Sequence, residues 1–308
     1  MYFPILKGKE FELKSLRELA DHLSPGTLYP VIEPLNIKKD YLIETIDKIS
    51  IKKFIPLVVI NPRQDEYESM VTSNINLDLK KGINISLGSR FHPCIKILDE
   101  NDTNALSLAS AFDELFAIYV EGTITPKMIP ILQRADIVLV NPTKNIDYTI
   151  WDSLSKVVVF SDGFSKEERN LDYPAESDYD SLHSTYNQYN NAIGFGDYTI
   201  LPEKFKKGGG PAYVVTLHLS YIDNIRYNKV YVRHFSSYTN TQTQSNPGGK
   251  FKEALNLLVG YVNSNPQKFV LTEGLKEFYG YHQTNHYPGL GIAKKLSIKH
   301  HIESLYQY

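Results

Sequence analysis

Lys7, Glu33 and Glu121 are the residues of this chain whose types most readily do chemistry together. An ammonium beside two carboxylates can neutralise one of them, hold phosphate or metal, or run acid–base work if the surroundings push their pKa values apart. The same residues can instead form a structural ion pair, because glutamates in a protein interior do not stay dry and unpaired. Asp197 is a fourth catalytic candidate. It lies in GFGDYT (194–199), where two glycines around Phe195 let the backbone approach a neighbouring strand or a ligand. Lys9, Asn61, Arg63, Lys96, Asn141, Asp162 and Tyr198 are candidates for binding. Asn61 and Asn141 share the setting Asn-Pro, which suits turn-making as well as ligand contact.

These residues need a frame that brings them together. Eight short apolar runs supply one: 2–8, 28–35, 54–61, 91–98, 115–122, 135–141, 156–162 and 191–200. The first begins at residue 2 and the last at 191, so seven intervals average about 27 residues. Most are apolar on successive residues, as strands covered on both faces are. Helical patterns at 10–23, 40–50, 102–115 and 125–135 lie between them, the last opened by Thr125 and Pro126. Strand, helix and strand at this spacing predict a parallel sheet, and eight beats predict an α/β (β/α)8 TIM-barrel-like fold. An open doubly wound sheet is the rival, weakened by the lack of a Gly-x-Gly-x-x-Gly turn after the first strand. The phrases LYPVIEPLN (28–36) and FIPLVVINPR (54–63) then read as barrel staves. The leading proline stands at the strand start and the trailing proline helps end it. Between them the polar residue is set at the carboxyl end, where barrel sites form.

After residue 162 the beat changes. Residues 163–190 read as a long polar loop with little core. Alternation over 212–221 and 229–236 predicts a hairpin leaning over the barrel mouth, with His218 and His234 facing each other across it as further candidates for binding. Residues 250–264 form the best helix pattern and suit the eighth barrel helix; 265–308 reads as helical with turns at 287–291. The expectation is one barrel domain over 1–308, with 206–249 inserted as hairpin and loop.

Composition narrows the class. Net charge is −2, which disfavours direct nucleic-acid binding despite Lys204, Lys206 and Lys207. One cysteine, Cys94, excludes an internal disulfide and fits a reducing, cytoplasmic setting. No leader pattern and no apolar run of membrane length are read, so no membrane is expected. Metal signatures are thin. A magnesium site from Glu33, Glu121 and Asp162 is chemically allowed but not demanded. The pair of Glu33 and Glu121 also permits glycosidase chemistry. His282 and His286 are four apart in a stretch that reads as loop. The glycines at 208–210 lack the rest of a phosphate loop, whereas Gly248 and Gly249 before a helix suit an anion.

The segments YFPILKGKEFE, YPVIEPLN, PLVVINP and GFGDYT, within residues 1–200, resemble the beta protein family of phages and bacteria, and most closely a bacterial branch of it. The resemblance implies a barrel-like fold. It also implies a gene neighbourhood of antiviral or mobile-element type, with a small nuclease-like protein beside it as partner. It carries no settled catalytic residue onto Lys7 or Glu33. Two readings follow. One is a partner-binding or ligand-sensing component of such a module. The other is a hydrolase or lyase acting on a phosphate- or sugar-bearing small molecule at the barrel mouth through Lys7, Glu33, Glu121 and Asp197.

Overall fold

A computed structural model describes all residues except 37, 68–74, 146, 206–211 and 240. The 208–210 glycines and Lys206 and Lys207 therefore lie outside the described residues. The chain divides into two compact units, 1–161 with 182–197 and 162–181 with 198–308, where the sequence reads as one domain with an insertion.

The first unit is a closed barrel of parallel strands. Its members are β1 (Tyr2–Leu6), β2 (Val31–Ile32), β3 (Leu57–Val59), β4 (His92–Ile97), β5 (Ala117–Val120), β6 (Ile137–Val140) and β7 (Val157–Ser161). After an intervening strand, β8 (Glu176–Asp178), the ring is completed by β9 (Ala192–Asp197), which pairs with both β7 and β1. All eight apolar runs become barrel strands. β5, AIYV, is buried at every residue, as a stave covered by helices outside and side chains inside must be. Pairing of Tyr2, Phe3 and Pro4 with Phe195, Gly196 and Asp197 closes the ring.

Helices Glu10–Leu19, Asp40–Ile51, Ile75–Gly82 and Thr103–Ala111 follow the first four strands. Leu13, Leu16 and Leu19 of the first helix are buried, at the spacing of one helical face. The shorter helices Ile129–Leu132, Tyr148–Asp152 and Leu182–Thr185 complete the alternation. Two local expectations change. Thr125 does not cap a helix; its hydroxyl donates to Glu100 at 3.0 Å and the helix begins at Ile129. Pro30 and Pro56 do precede their strands, but Pro4 is the third residue of β1 and Pro93 the second of β4.

The second unit is built on an antiparallel sheet ordered β10 (Thr216–Asp223), β11 (Lys229–Ser236), β8 (Glu176–Asp178). The hairpin forms, its first strand beginning at Thr216 where the sequence suggested 212, with His218 opposite His234. The loop at 163–190 is not core-poor. Glu176–Asp178 joins the sheet edge, and Phe164, Tyr179 and Leu182 are buried. Helix Pro247–Ser264 belongs to this unit, where the sequence suited it to the barrel. Phe251, Leu255 and Leu258 share a core with Leu217 and Leu219 of β10 and Phe278 of helix Glu273–Thr284. The last helix is Leu290–Tyr306. Among the described residues no helix is long and apolar enough to cross a membrane.

Candidate functional site

Lys7, Glu33 and Glu121 follow β1, β2 and β5 directly, and Lys96 is the fifth residue of β4. Their charged ends meet although β3 separates β2 from β4 in the ring, so they point toward the barrel axis. Lys7 Nζ lies 2.8 Å from Glu33 Oε2; Lys96 Nζ lies 3.1 Å from Glu33 Oε1 and 2.8 Å from Glu121 Oε2. Gln64 Nε2 also donates to Glu33 Oε2, at 3.0 Å. Beneath them Lys96 stands 5.3 Å from the centre of the Tyr119 ring, which stacks on Phe160. Two ammonium groups and two carboxylates thus form a neutral set on an aromatic layer. Lys7, Glu33 and Lys96 are buried, whereas the Glu121 side chain is 26% exposed.

Burial alone would push the Glu33 carboxyl up, but Lys7 and Lys96 together outweigh it and hold the pKa below its ordinary 4.5. Burial would likewise lower Lys96; Glu33 and Glu121 outweigh it and hold the ammonium above its ordinary 10.5. Both groups stay charged at neutral pH. A general acid or base works best with its pKa near the operating pH, and these two shifts run the opposite way. The sequence marks Lys96 only as a candidate for binding. Its central role was missed because the apolar run FHPCIKIL hides one cation whose partners lie 25 and 63 residues away.

Most of the other candidates have partners of their own. Asp197 stands opposite Pro4 and accepts from the Tyr2 hydroxyl at 3.0 Å. It is buried at the β1–β9 seam. Asn61 is neither turn-maker nor free ligand arm: its amide exchanges two 2.8 Å hydrogen bonds with the Lys96 backbone, continuing the β3–β4 ladder. Asn141 does make a turn, its Oδ1 accepting from the Thr143 amide and hydroxyl at 2.9 and 2.7 Å. Lys9 pairs with Asp65 at 2.6 Å and Arg63 with Asp102 at 2.6 Å, and Asp102 also caps the helix after β4. Asp162 and Tyr198 belong to the second unit. Asp162 is exposed and accepts from the Glu203 amide at 3.1 Å; Tyr198 is buried. Of the magnesium grouping, Glu33 and Glu121 lie in the first unit and Asp162 in the second. Lys96 already bridges the two glutamates, and among the described residues no three His, Cys, Asp or Glu gather as a metal site.

In the second unit His218 Nδ1 and His234 Nδ1 are 2.7 Å apart, so one donates and the other accepts. His234 Nε2 meets Ser177 Oγ at 2.9 Å and its ring stacks on Tyr173. Burial lowers His218 to about 3 and His234 to about 4, each helped by a neighbouring cation-forming group. His300 is lowered to about 4 by burial, and joins Thr272 Oγ1 at 2.7 Å to the Ser220 carbonyl at 2.8 Å. These are structural, neutral imidazoles. A depressed histidine pKa contributes stability that is present above the unfolded value near 6.5 and is lost as pH falls toward 4. Lowering pH from 7.5 to 5 is expected to cost roughly 2 kcal/mol per ring, read as a lower urea midpoint. Their NMR signals are expected not to titrate between pH 5 and 8; a midpoint near 6.5 for either paired ring would refute the buried neutral pair.

The fold and the site define an eight-stranded parallel barrel whose mouth is tied by buried ion pairs, on a chain that carries a second α+β unit. No family model matches the chain, and no curated protein or solved structure matches it.

Proposed function

We propose that the chain is a non-catalytic, partner-binding component of a bacterial antiviral or mobile-element gene module, and that it holds a small nuclease-like protein encoded beside it. The hydrolase or lyase alternative draws on Glu121, whose carboxylate is partly open, but its neighbours are ionised and mutually paired. The observation carrying the binding reading is the β10–β11 hairpin tip. Ile225 and Tyr227 are each 94% exposed there. The tip is nonetheless tightly held. Arg226 donates to Asp223 at 2.7 Å, Glu176 at 2.9 Å and the Tyr221 hydroxyl at 2.7 Å, and lies 3.5 Å over the Tyr231 ring. Asp223 Oδ1 also accepts from the Ile225 amide at 3.0 Å. Tyr227 has φ 58°, a left-handed conformation that a bulky residue adopts at a cost and that asparagine or glycine would adopt more easily. An apolar pair on a braced, strained turn fits insertion into an apolar cleft of a protein partner.

Copurification from co-expressed genes tests this. Wild type is expected to retain the nuclease-like neighbour, and Ile225→Asp with Tyr227→Asn to lose it. Tyr227→Asn alone is expected to leave stability unchanged or raise it by about 0.5 kcal/mol, because it relieves backbone strain. Failure of wild type to retain the neighbour, or equal retention by the double variant, would overturn the reading.

A further inference from the structure

Two motifs that play no part at the barrel mouth or the hairpin tip meet in the second unit. SNPGGK opens helix Pro247–Ser264, and YHQTNHY closes helix Glu273–Thr284. Between them lies a cleft of about 460 Å³, within the usual size of small-molecule sites. His282 is helical, contrary to the loop reading, and Asn285 ends the helix in a left-handed cap at φ 52°. That turn swings His286 back onto the Tyr281 ring, with centroids 5.7 Å apart and planes within 30°. The Tyr287 ring packs on Phe251 across the cleft, 5.5 Å between centroids. One wall is therefore aromatic.

The polar lining has one sign. Lys252, His282, Asn256 and Asn285 reach the cleft, and no Asp or Glu lines it. None of these four makes a side-chain hydrogen bond or ion pair among the described residues, unlike the charges at the barrel mouth. The helix start is not the cradle. Pro247 has no N–H, the Gly249 amide goes to Asn246 Oδ1 at 3.0 Å and the Lys250 amide to the Asn246 carbonyl at 3.2 Å. What remains is an aromatic face beside a lysine and two imidazoles, a combination that stacks a flat ring and pairs with a phosphate.

We propose that this cleft binds a mononucleotide, with the base against the aromatic wall and the phosphate toward Lys252 and the histidines. Calorimetric titration of the full chain with AMP, GMP, CMP and UMP, and with the matching nucleosides and inorganic phosphate, tests it. At least one mononucleotide is expected to bind below about 1 mM, and about tenfold more tightly than its nucleoside or phosphate alone. Lys252→Glu with His282→Ala is expected to weaken that binding about 100-fold. Both positions are exposed, and unchanged thermal melting would show the fold intact. Saturation by none of the four, equal affinity for phosphate alone, or undiminished binding by a folded double variant would each overturn the proposal.

Discussion

Lys96→Ala is expected to cost about 3–5 kcal/mol of stability, the usual result of removing one partner from a buried ion pair. Lys96 is the cation shared by Glu33 and Glu121, so its loss leaves a buried carboxylate short of charge and frees the bridge between β2, β4 and β5. Lys96→Met keeps most of the volume and is expected to do little better, because the deficit is electrostatic. Adding Glu33→Gln to Lys96→Met removes the stranded charge and is expected to recover much of the loss. Urea midpoints of the three variants decide the matter. A loss below about 1 kcal/mol for Lys96→Ala would put these charges in the weak, water-screened class of surface pairs. The pH signs follow from the two shifts. Glu33, depressed, contributes stability present above its ordinary 4.5 and lost as pH falls through its lower folded value. Lys96, raised, contributes stability present below its ordinary 10.5 and lost as pH rises through its higher folded value. The ion-paired set therefore favours the fold across the whole neutral range, and Lys96→Met is expected to lose the alkaline limb.

Gly194→Ala and Gly196→Ala are expected to cost about 3 kcal/mol each, as overpacking against atoms that cannot swing aside does. A Cβ at Gly194 would stand 2.3 Å from the Met1 carbonyl oxygen, and one at Gly196 2.6 Å from that of Phe3. The first obstacle is the backbone just before β1 and the second the backbone within it, on the seam that closes the ring. GFGDYT thus answers its own question: the close neighbour of its glycines is a strand. Gly260→Ala is the control. It lies in helix Pro247–Ser264 with nothing within 4 Å of its added carbon, and is expected to gain up to about 1 kcal/mol. Hydrogen exchange would show β1 and β9 losing protection first in the seam variants. Tolerance of alanine at Gly194 and Gly196 equal to that at Gly260 would refute the seam.

The barrel strands were readable because their signal is local. A stave such as VVVF at 157–160 is apolar on both faces wherever its neighbours lie. The β10–β11 hairpin was readable for the same reason, through alternation and a polar turn. Glu176–Asp178 was not: three polar residues become a strand only because β11 supplies the ladder. Nor was the allegiance of helix Pro247–Ser264, since an amphipathic face states that it packs on something, not on what. At the site, Lys7 and Glu33 were legible as a pair, whereas the bridging role of Lys96, the ladder role of Asn61 and the bond from Tyr2 to Asp197 were not.

The amino-acid order by itself determined the number of staves, their direction and which polar residues follow them, because backbone pairing and apolar periodicity act over a few residues. Tertiary structure alone decided which of those residues touch. Ion pairs among Lys7, Glu33, Lys96 and Glu121 join positions 25 to 63 apart, and a charge turns from solvated to structural only when closure of the ring excludes water around it.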